Sequence, residues 1–337
     1  MVQVESPVFD ATVSSGEYAI QLLSVQVQQL VRWQGPVLAN RDPEPLHQMR
    51  VTMRRLRVTL QQFAPALQLP HPLTGARLAK TARRLGLARD LDVLRTRLQD
   101  QLLPQLPEVE LSLLKPVIKQ LKRERQQAQD QVEDQLKGGS YLGWLSQMQR
   151  WLRKPDLTPL ALEPLGEALL QWQLGWLAGL YQHPAWRLEA LRNDGERDQV
   201  HDLRKQIKLA RYQLENCKPW LGPRSRRALR DFKLMQELLG ELNDLEVLQR
   251  AISDQLAGSL VKDLPVLHGL LLDIQSQRWE LWRQQALQPG PRGAAQRWLT
   301  LLMRDQRHTC LRHQFIRMCS GLQRAVFCDW RAPLVAR

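Results

Sequence analysis

Residues 47–57 read HQMRVTMRRLR, and residues 201–211 read HDLRKQIKLAR. His47 aligns with His201, Arg50 with Arg204, Arg54 with Lys208 and Arg57 with Arg211, each pair 154 positions apart. Downstream, LGLARDLDVL at 85–94 matches LGELNDLEVL at 239–248, and Gly86/Gly240, Asp90/Asp244 and Leu94/Leu248 keep the same offset of 154. Two motifs that hold one spacing over this distance mark a tandem duplication. Its units are read as 12–137 and 162–287.

Around these motifs Leu, Gln, Arg and Ala dominate, and apolar residues recur at three- and four-residue spacing, the helical period. Proline and glycine punctuate it at Gly35-Pro36, Pro70 to Pro72, Pro104 to Pro107, Gly138-Gly139, Pro219 to Pro223 and Pro289 to Pro291. The intervals predict helices near 15–34, 43–66, 74–101, 108–136, 141–153, 162–182, 196–217, 223–256, 262–287 and 294–325. The fold class is therefore all-α, with four helices per unit and each unit an antiparallel four-helix bundle. The two pseudo-symmetric bundles would be joined by a linker helix within 138–161 and followed by a C-terminal helical segment, 288–325, and a tail, 326–337. The whole domain spans 12–325. A pseudo-two-fold arrangement of the units would bring the two histidine–arginine helices together.

Composition narrows the partner. With 337 residues and 43% apolar content the chain can bury a proper core. Lys and Arg total 48 against 34 acidic residues, a net charge of +14 and a pI near 10.1. That excess suits a polyanion: nucleic acid, an anionic membrane or polymeric phosphate. The four cysteines, Cys217, Cys310, Cys319 and Cys328, form no CxxC and are read as reduced thiols of a cytosolic protein. MVQVESPVFD lacks the features of a signal peptide, and no apolar run approaches the ~20 residues that span a bilayer. A cytoplasmic protein without a membrane span is expected.

The candidate site follows from helical geometry. At about 100° per residue, His47, Arg50, Arg54 and Arg57 fall in a stripe roughly 80° wide. Leu46, Met49, Met53, Leu56, Leu60 and Phe63 form the adjoining core face. His201, Arg204, Lys208 and Arg211 repeat the stripe beside Leu203, Ile207 and Leu214. Lys205 and Tyr212 flank it, and Arg55 lies off its first-unit counterpart. Like charges at i,i+4 repel by a few tenths of a kcal/mol, and no acid is interleaved to relieve them. A solvated face more often mixes signs, as KRERQQAQDQVED at 122–134 does. The unmixed stripe, present twice, reads as an anion site, because guanidinium groups bind phosphate oxygens bidentately. Histidine adds a donor whose protonation the anion itself promotes. Asp42, before Pro43, reads as the cap of the first stripe's helix, and the segment from Asp194 to Asp198 takes that part in the second. Asp90 and Asp244 are candidates for orienting the arginines, or plain helix-face acids beside Gly86 and Gly240 that permit close helix approach.

The quoted residues resemble the CHAD family, the conserved histidine α-helical domain. HQMRVTMRRLR is similar to its first signature, HDLRKQIKLARY to its second, and LGLARDLDVL and LGELNDLEVL to the helices that follow. The resemblance implies a pair of pseudo-symmetric helical bundles that bind inorganic polyphosphate through a central basic cavity. It implies ligand contacts at His47, Arg50, Arg54, Arg57, His201, Arg204, Lys208 and Arg211, with Arg55, Lys205 and Tyr212 as weaker candidates. Members are often fused to a triphosphate-processing CYTH domain. No ExExK strand signature precedes residue 15, so a stand-alone, non-enzymatic binder is expected, with no cofactor and an association with polyphosphate granules as one possible location.

Other classes fit less well. Glu44-x-x-His47 and Asp198-x-x-His201 mimic the carboxylate–histidine pairs of di-iron bundles, with Asp90 and Asp244 as further ligands. Three cations share each histidine's stripe and would oppose a metal. A phosphohydrolase or phosphotransferase would need metal-held carboxylates or a P-loop, and neither motif is visible. General polyanion or nucleic-acid binding suits the charge. Single-strand binding, however, usually adds exposed aromatic platforms, and tryptophans such as Trp144, Trp172 and Trp176 sit in core-like patterns. Arg304, Arg307, Arg312, Arg317 and Arg324 on the last helix either extend the basic surface or are simply solvated.

Overall fold

The computed structural model describes residues 13–73, 75–221, 225–256 and 258–287, together with Thr300. The expected C-terminal helix at 294–325, with its arginines and Cys310, Cys319 and Cys328, lies outside the described residues.

Within them the chain is all-α. Helices α1 (Ser15–Ala39), α2 (Pro43–Gln62), α3 (Gly75–Thr96) and α4 (Glu108–Lys137) form the first group. Helix α5 (Gly139–Arg153) links it to α6 (Leu165–Gln182), α7 (Asp194–Leu221) and α8 (Ser225–Ser253), and the short α9 (Leu260–Asp263) leads into α10 (Pro265–Leu287). Start signals act as the local chemistry dictates. Ser14 and Glu17 make a reciprocal capping box on α1. Asp42 accepts from the Glu44 amide at 2.8 Å ahead of Pro43. On α7 the cap is Asn193, whose Oδ1 accepts from the Glu196 amide at 2.9 Å, and not the Asp194–Asp198 segment. Asp194 is already the first helical residue.

The expected core face of α2 is buried in full, from Leu46 to Phe63, and Leu203, Ile207 and Leu214 of α7 are buried likewise. Each such side chain contributes about 1.5–3 kcal/mol. In the linker, Tyr141, Trp144, Met148 and Trp151 are also core residues. Gly16 marks a close approach, since a Cβ there would lie 2.6 Å from the Ala161 methyl. Buried Glu110 of α4 accepts from the Val266 and Leu267 amides at 2.7 and 2.9 Å, capping α10 across the two groups.

Two breaker readings fail. Helix α1 runs through Gly35-Pro36 to a left-handed Asn40, because Val37 beyond them is buried and its carbonyl accepts from Gln129 at 3.2 Å. Helix α7 continues past Pro219. The mixed-sign stretch 122–134 is not wholly solvated either, since Arg125 is buried and paired with Asp92 at 2.6 Å.

Helices α2 and α7 meet over a buried polar seam. The Asn216 amide donates to Thr59 at 3.0 Å and to Gln62 at 2.9 Å. Gln26 donates to Thr59 at 2.9 Å, Gln62 to the Gln213 carbonyl at 3.3 Å, and the Tyr18 hydroxyl to the Asn216 carbonyl at 2.6 Å. Gln62 and Asn216, 154 residues apart, bond to each other directly. Asn216→Leu is expected to strand these partners and to cost about 1–3 kcal/mol in denaturant unfolding. Pairing it with Gln62→Leu should recover part of that loss, and strict additivity of the two would show that the seam is not a coupled unit.

Candidate functional site

The α2–α7 crossing brings the two stripes face to face above the seam. Arg50 feels Arg54 and Arg204, and Lys208 feels Arg54, Arg204 and Arg50. Arg50, Arg54, Arg204 and Lys208, from the middle of the two stripes, therefore share one electrostatic neighbourhood. Arg50 pairs with Asp90 at 2.9 Å, and Asp244 lies close enough to Asp90 to disfavour its charge. Arg54, Arg57, Arg204 and Lys208 make no ion pair with the described residues.

The energetics of this cluster follow from desolvation and like charge. Burial, reinforced by Arg54, Arg204 and Arg50 and opposed by Asp90, pushes Lys208 down to about 6. Burial also lowers Arg50, against the pull of Asp90, and Arg204, against that of Asp244. His47 is shifted down by burial and then by Arg89, with Glu44 opposing. Asp90 keeps 57% of its side-chain surface open, yet burial of its carboxyl, with Asp244 nearby, raises its pKa against the opposing pull of Arg50. The site is short of negative charge, and the cheapest remedy for every cation in it is an incoming anion.

Tyr212 organises the crossing. Its ring is only 2% exposed and lies between two guanidinium groups, with Arg211 4.4 Å and Arg54 5.7 Å from the ring centroid. Its hydroxyl accepts from Arg54 at 3.4 Å. Glu215 gathers Arg211 at 2.9 Å and Arg55 at 3.2 Å. Tyr212 and Arg55 thus act at the crossing itself, whereas Lys205 turns away to pair with Asp202 at 3.3 Å.

Two connected recesses open from this cluster. One, of about 680 Å³ between α2 and α3, is lined by Arg50, Arg54, Arg57, Lys80, Arg83, Arg84 and Asp90, with Gly86. The other, of about 390 Å³, is lined by His47, Arg50, Arg54, Arg55, Arg211 and Tyr212. Arg50 and Arg54 belong to both. His201 is exposed and is held by Asn243 at 3.1 Å, beside Asp244, which accepts from the Asn243 amide at 3.3 Å.

Neither Gly86 nor Gly240 marks the expected close helix approach. A Cβ at Gly86 would meet only the Arg50 guanidinium, at 3.7 Å, while Gly240 has nothing within 4 Å. A methyl at Gly86 would therefore make only ordinary van der Waals contact with the arginine head. The cations of α3, Lys80, Arg83, Arg84 and Arg89, escaped the sequence reading. Their signal was available in KTARRLGLARD at 80–90, one antiparallel helix away from the stripe.

Known proteins corroborate the architecture. The chain aligns at 23% identity with the crystal structure of the CHAD domain from the plant Ricinus communis, with a TM-score of 0.59 over 88% of this chain and 95% of that one. It also aligns with PptA from Streptomyces chartreusis at 18% identity, with a TM-score of 0.60 over 82% of this chain and 99% of that one. No curated protein sequence matches it. The CHAD domain family model matches residues 21–253, which include both histidine–arginine stripes and the motifs that follow them, so the chain belongs to the CHAD domain family.

Proposed function

We propose that this protein binds inorganic polyphosphate, without catalysing a reaction, in the basic groove at the α2–α7 crossing. The observation that carries this reading is the convergence of Arg50, Arg54, Arg204 and Lys208 from two helices into one partly desolvated cluster with too few carboxylates. Each guanidinium or ammonium contact to a phosphate oxygen is a charge-assisted hydrogen bond worth ~1.5–3 kcal/mol. A polymer of closely spaced phosphates can satisfy several at once. The lining groups are donors, and Asp90 is already committed to Arg50. That composition favours binding over activation of a nucleophile.

Competing polyanions fit less well. Base stacking on single strands needs exposed aromatic faces, and none of the tryptophans with described surroundings is exposed. Trp144 is buried, and Trp172 and Trp176 pack against the core. No helix among the described residues is long and apolar enough to cross a membrane. The expected setting is the cytoplasm, with polyphosphate granules as one location.

The test is a titration with long-chain polyphosphate at physiological salt, with single-stranded DNA and heparin as competitors. Salt matters because nonspecific ion exchange collapses steeply as it rises. Tight binding that resists both competitors supports a dedicated site, and equal displacement by any polyanion overturns it. Arg50→Gln/Arg54→Gln/Lys208→Gln is expected to lose about 100-fold or more in affinity, the equivalent of two or three charge-assisted contacts.

Proton linkage gives a second check. A bound polyanion raises Lys208 from about 6 towards the ordinary lysine value, so binding takes up a proton at pH values between the two. Affinity should fall as pH rises from 7 to 9, by at most about tenfold per unit for one proton. Calorimetry in buffers of different ionisation enthalpy measures the uptake directly, and Lys208→Met should abolish most of it.

The same substitution bears on stability. Because the folded value lies below the unfolded one, the unfolded chain binds a proton that the folded chain refuses. Lys208 therefore destabilises the empty protein increasingly as pH falls from about 10 towards 6. Lys208→Met is expected to stabilise the ligand-free protein at pH 7 by about 1 kcal/mol or more, a rise of a few degrees in Tm. An unchanged or lower Tm would mean that the charge cluster is not strained.

A further inference from the structure

Resting on the polyphosphate reading, we infer that the site is one-sided: an arm of cations on the α2–α3 face receives the length of the polymer, and the four matching positions on α8 carry no cation. The two faces are built from matched sequence. KTARRLGLARD at 80–90 stands against LMQELLGELND at 234–244, offset by 154. Lys80 corresponds to Leu234, Arg83 to Glu237, Arg84 to Leu238 and Arg89 to Asn243. Every cation that α3 turns towards the groove or its histidine is replaced by a neutral or acidic residue on α8.

The ion pairs sharpen the difference. Glu237 is held by Lys233 at 3.7 Å, and Glu241 pairs with Arg278. Arg211 is neutralised by Glu215 at 2.9 Å, whereas its counterpart Arg57 has Gln61 four residues on and is repelled by Arg54 and Arg83. Lys80 and Arg83 are exposed and make no ion pair with the described residues. Arg84 is steadied by Gln131 of α4. All three line the 680 Å³ recess with Arg57, continuous with the central cluster through Arg50 and Arg54.

Because α2 and α3 are antiparallel neighbours, the residues from Arg89 to Lys80 follow those from His47 to Arg57. At 1.5 Å per residue this track is about 15 Å long. A short oligophosphate is accommodated by the central cluster alone. A longer chain continues past Arg57 to Arg83, Arg84 and Lys80, and gains contacts in that direction only.

The experiment compares tripolyphosphate with long-chain polyphosphate on three variants whose folding is checked by thermal melting. Lys80→Gln/Arg83→Gln/Arg84→Gln is expected to lose about tenfold in affinity for the long chain and to stay within about twofold of the parent for tripolyphosphate. Lys115→Gln/Lys119→Gln/Lys122→Gln removes the same charge from exposed positions on α4 and should lose clearly less. Arg50→Gln/Arg54→Gln should weaken both ligands. An arm variant that behaves like the α4 control, or that loses both ligands equally, overturns the one-sided arm. If the Arg50→Gln/Arg54→Gln variant still loses both ligands, that failure leaves the central site standing. Absence of polyphosphate binding by the parent protein overturns both readings.

Discussion

Mutual repulsion among Arg50, Arg54, Arg204 and Lys208 at the α2–α7 crossing is the constraint around which the described structure is arranged. Two helices bearing such stripes would separate if nothing else held them. They are held from beneath by the seam of Thr59, Gln62 and Asn216, and beside it by the Tyr212 ring, whose π-face accepts two guanidinium groups. The hydrophobic faces of α2 and α7, buried in their own helix groups, supply the favourable energy that keeps the cations together. The cluster is thereby preorganised. The desolvation and repulsion an anion would otherwise have to overcome are already met by folding.

The two halves of the chain answer this constraint with different residues. In the first, Asp90 engages Arg50 directly at 2.9 Å. In the second, Asp244 acts on Arg204 without a direct pair and accepts from Asn243, which in turn holds His201. His47 faces Arg89 at the matching place. Matched sequence motifs thus carry a site whose charge is not matched, and the carboxylates Glu215, Glu237 and Glu241 concentrate on the second side.

Much of this was legible in the amino-acid order. The helical period, the core face of α2, the Asp42 cap and the pairing of stripes at one offset are local or periodic signals, and local signals survive tertiary context. The failures are equally physical. Gly35-Pro36 and Pro219 read as breakers, but burial of Val37 and its link to Gln129 outweigh a lost backbone hydrogen bond. Asp194 looked like a cap because its type suits one, yet the cap geometry belongs to Asn193. Lys80, Arg83 and Arg84 went unremarked because a basic residue on one helix gains meaning only when a neighbouring helix supplies the other wall.

The sequence by itself determined the all-α class, the two histidine–arginine stripes and the excess of positive charge, since each depends on residue type and spacing along one chain. The tertiary structure alone decided which cations are left without a counter-charge and which are neutralised. Arg50 and Arg204 occupy equivalent positions in equivalent motifs, yet Asp90 of α3 pairs with Arg50 at 2.9 Å, while Arg204 makes no ion pair with the described residues. Charge state and solvation depend on the dielectric and on the neighbours gathered in space. Lys208, ordinary in the sequence and pushed down to about 6 in the fold, shows how far that gathering reaches.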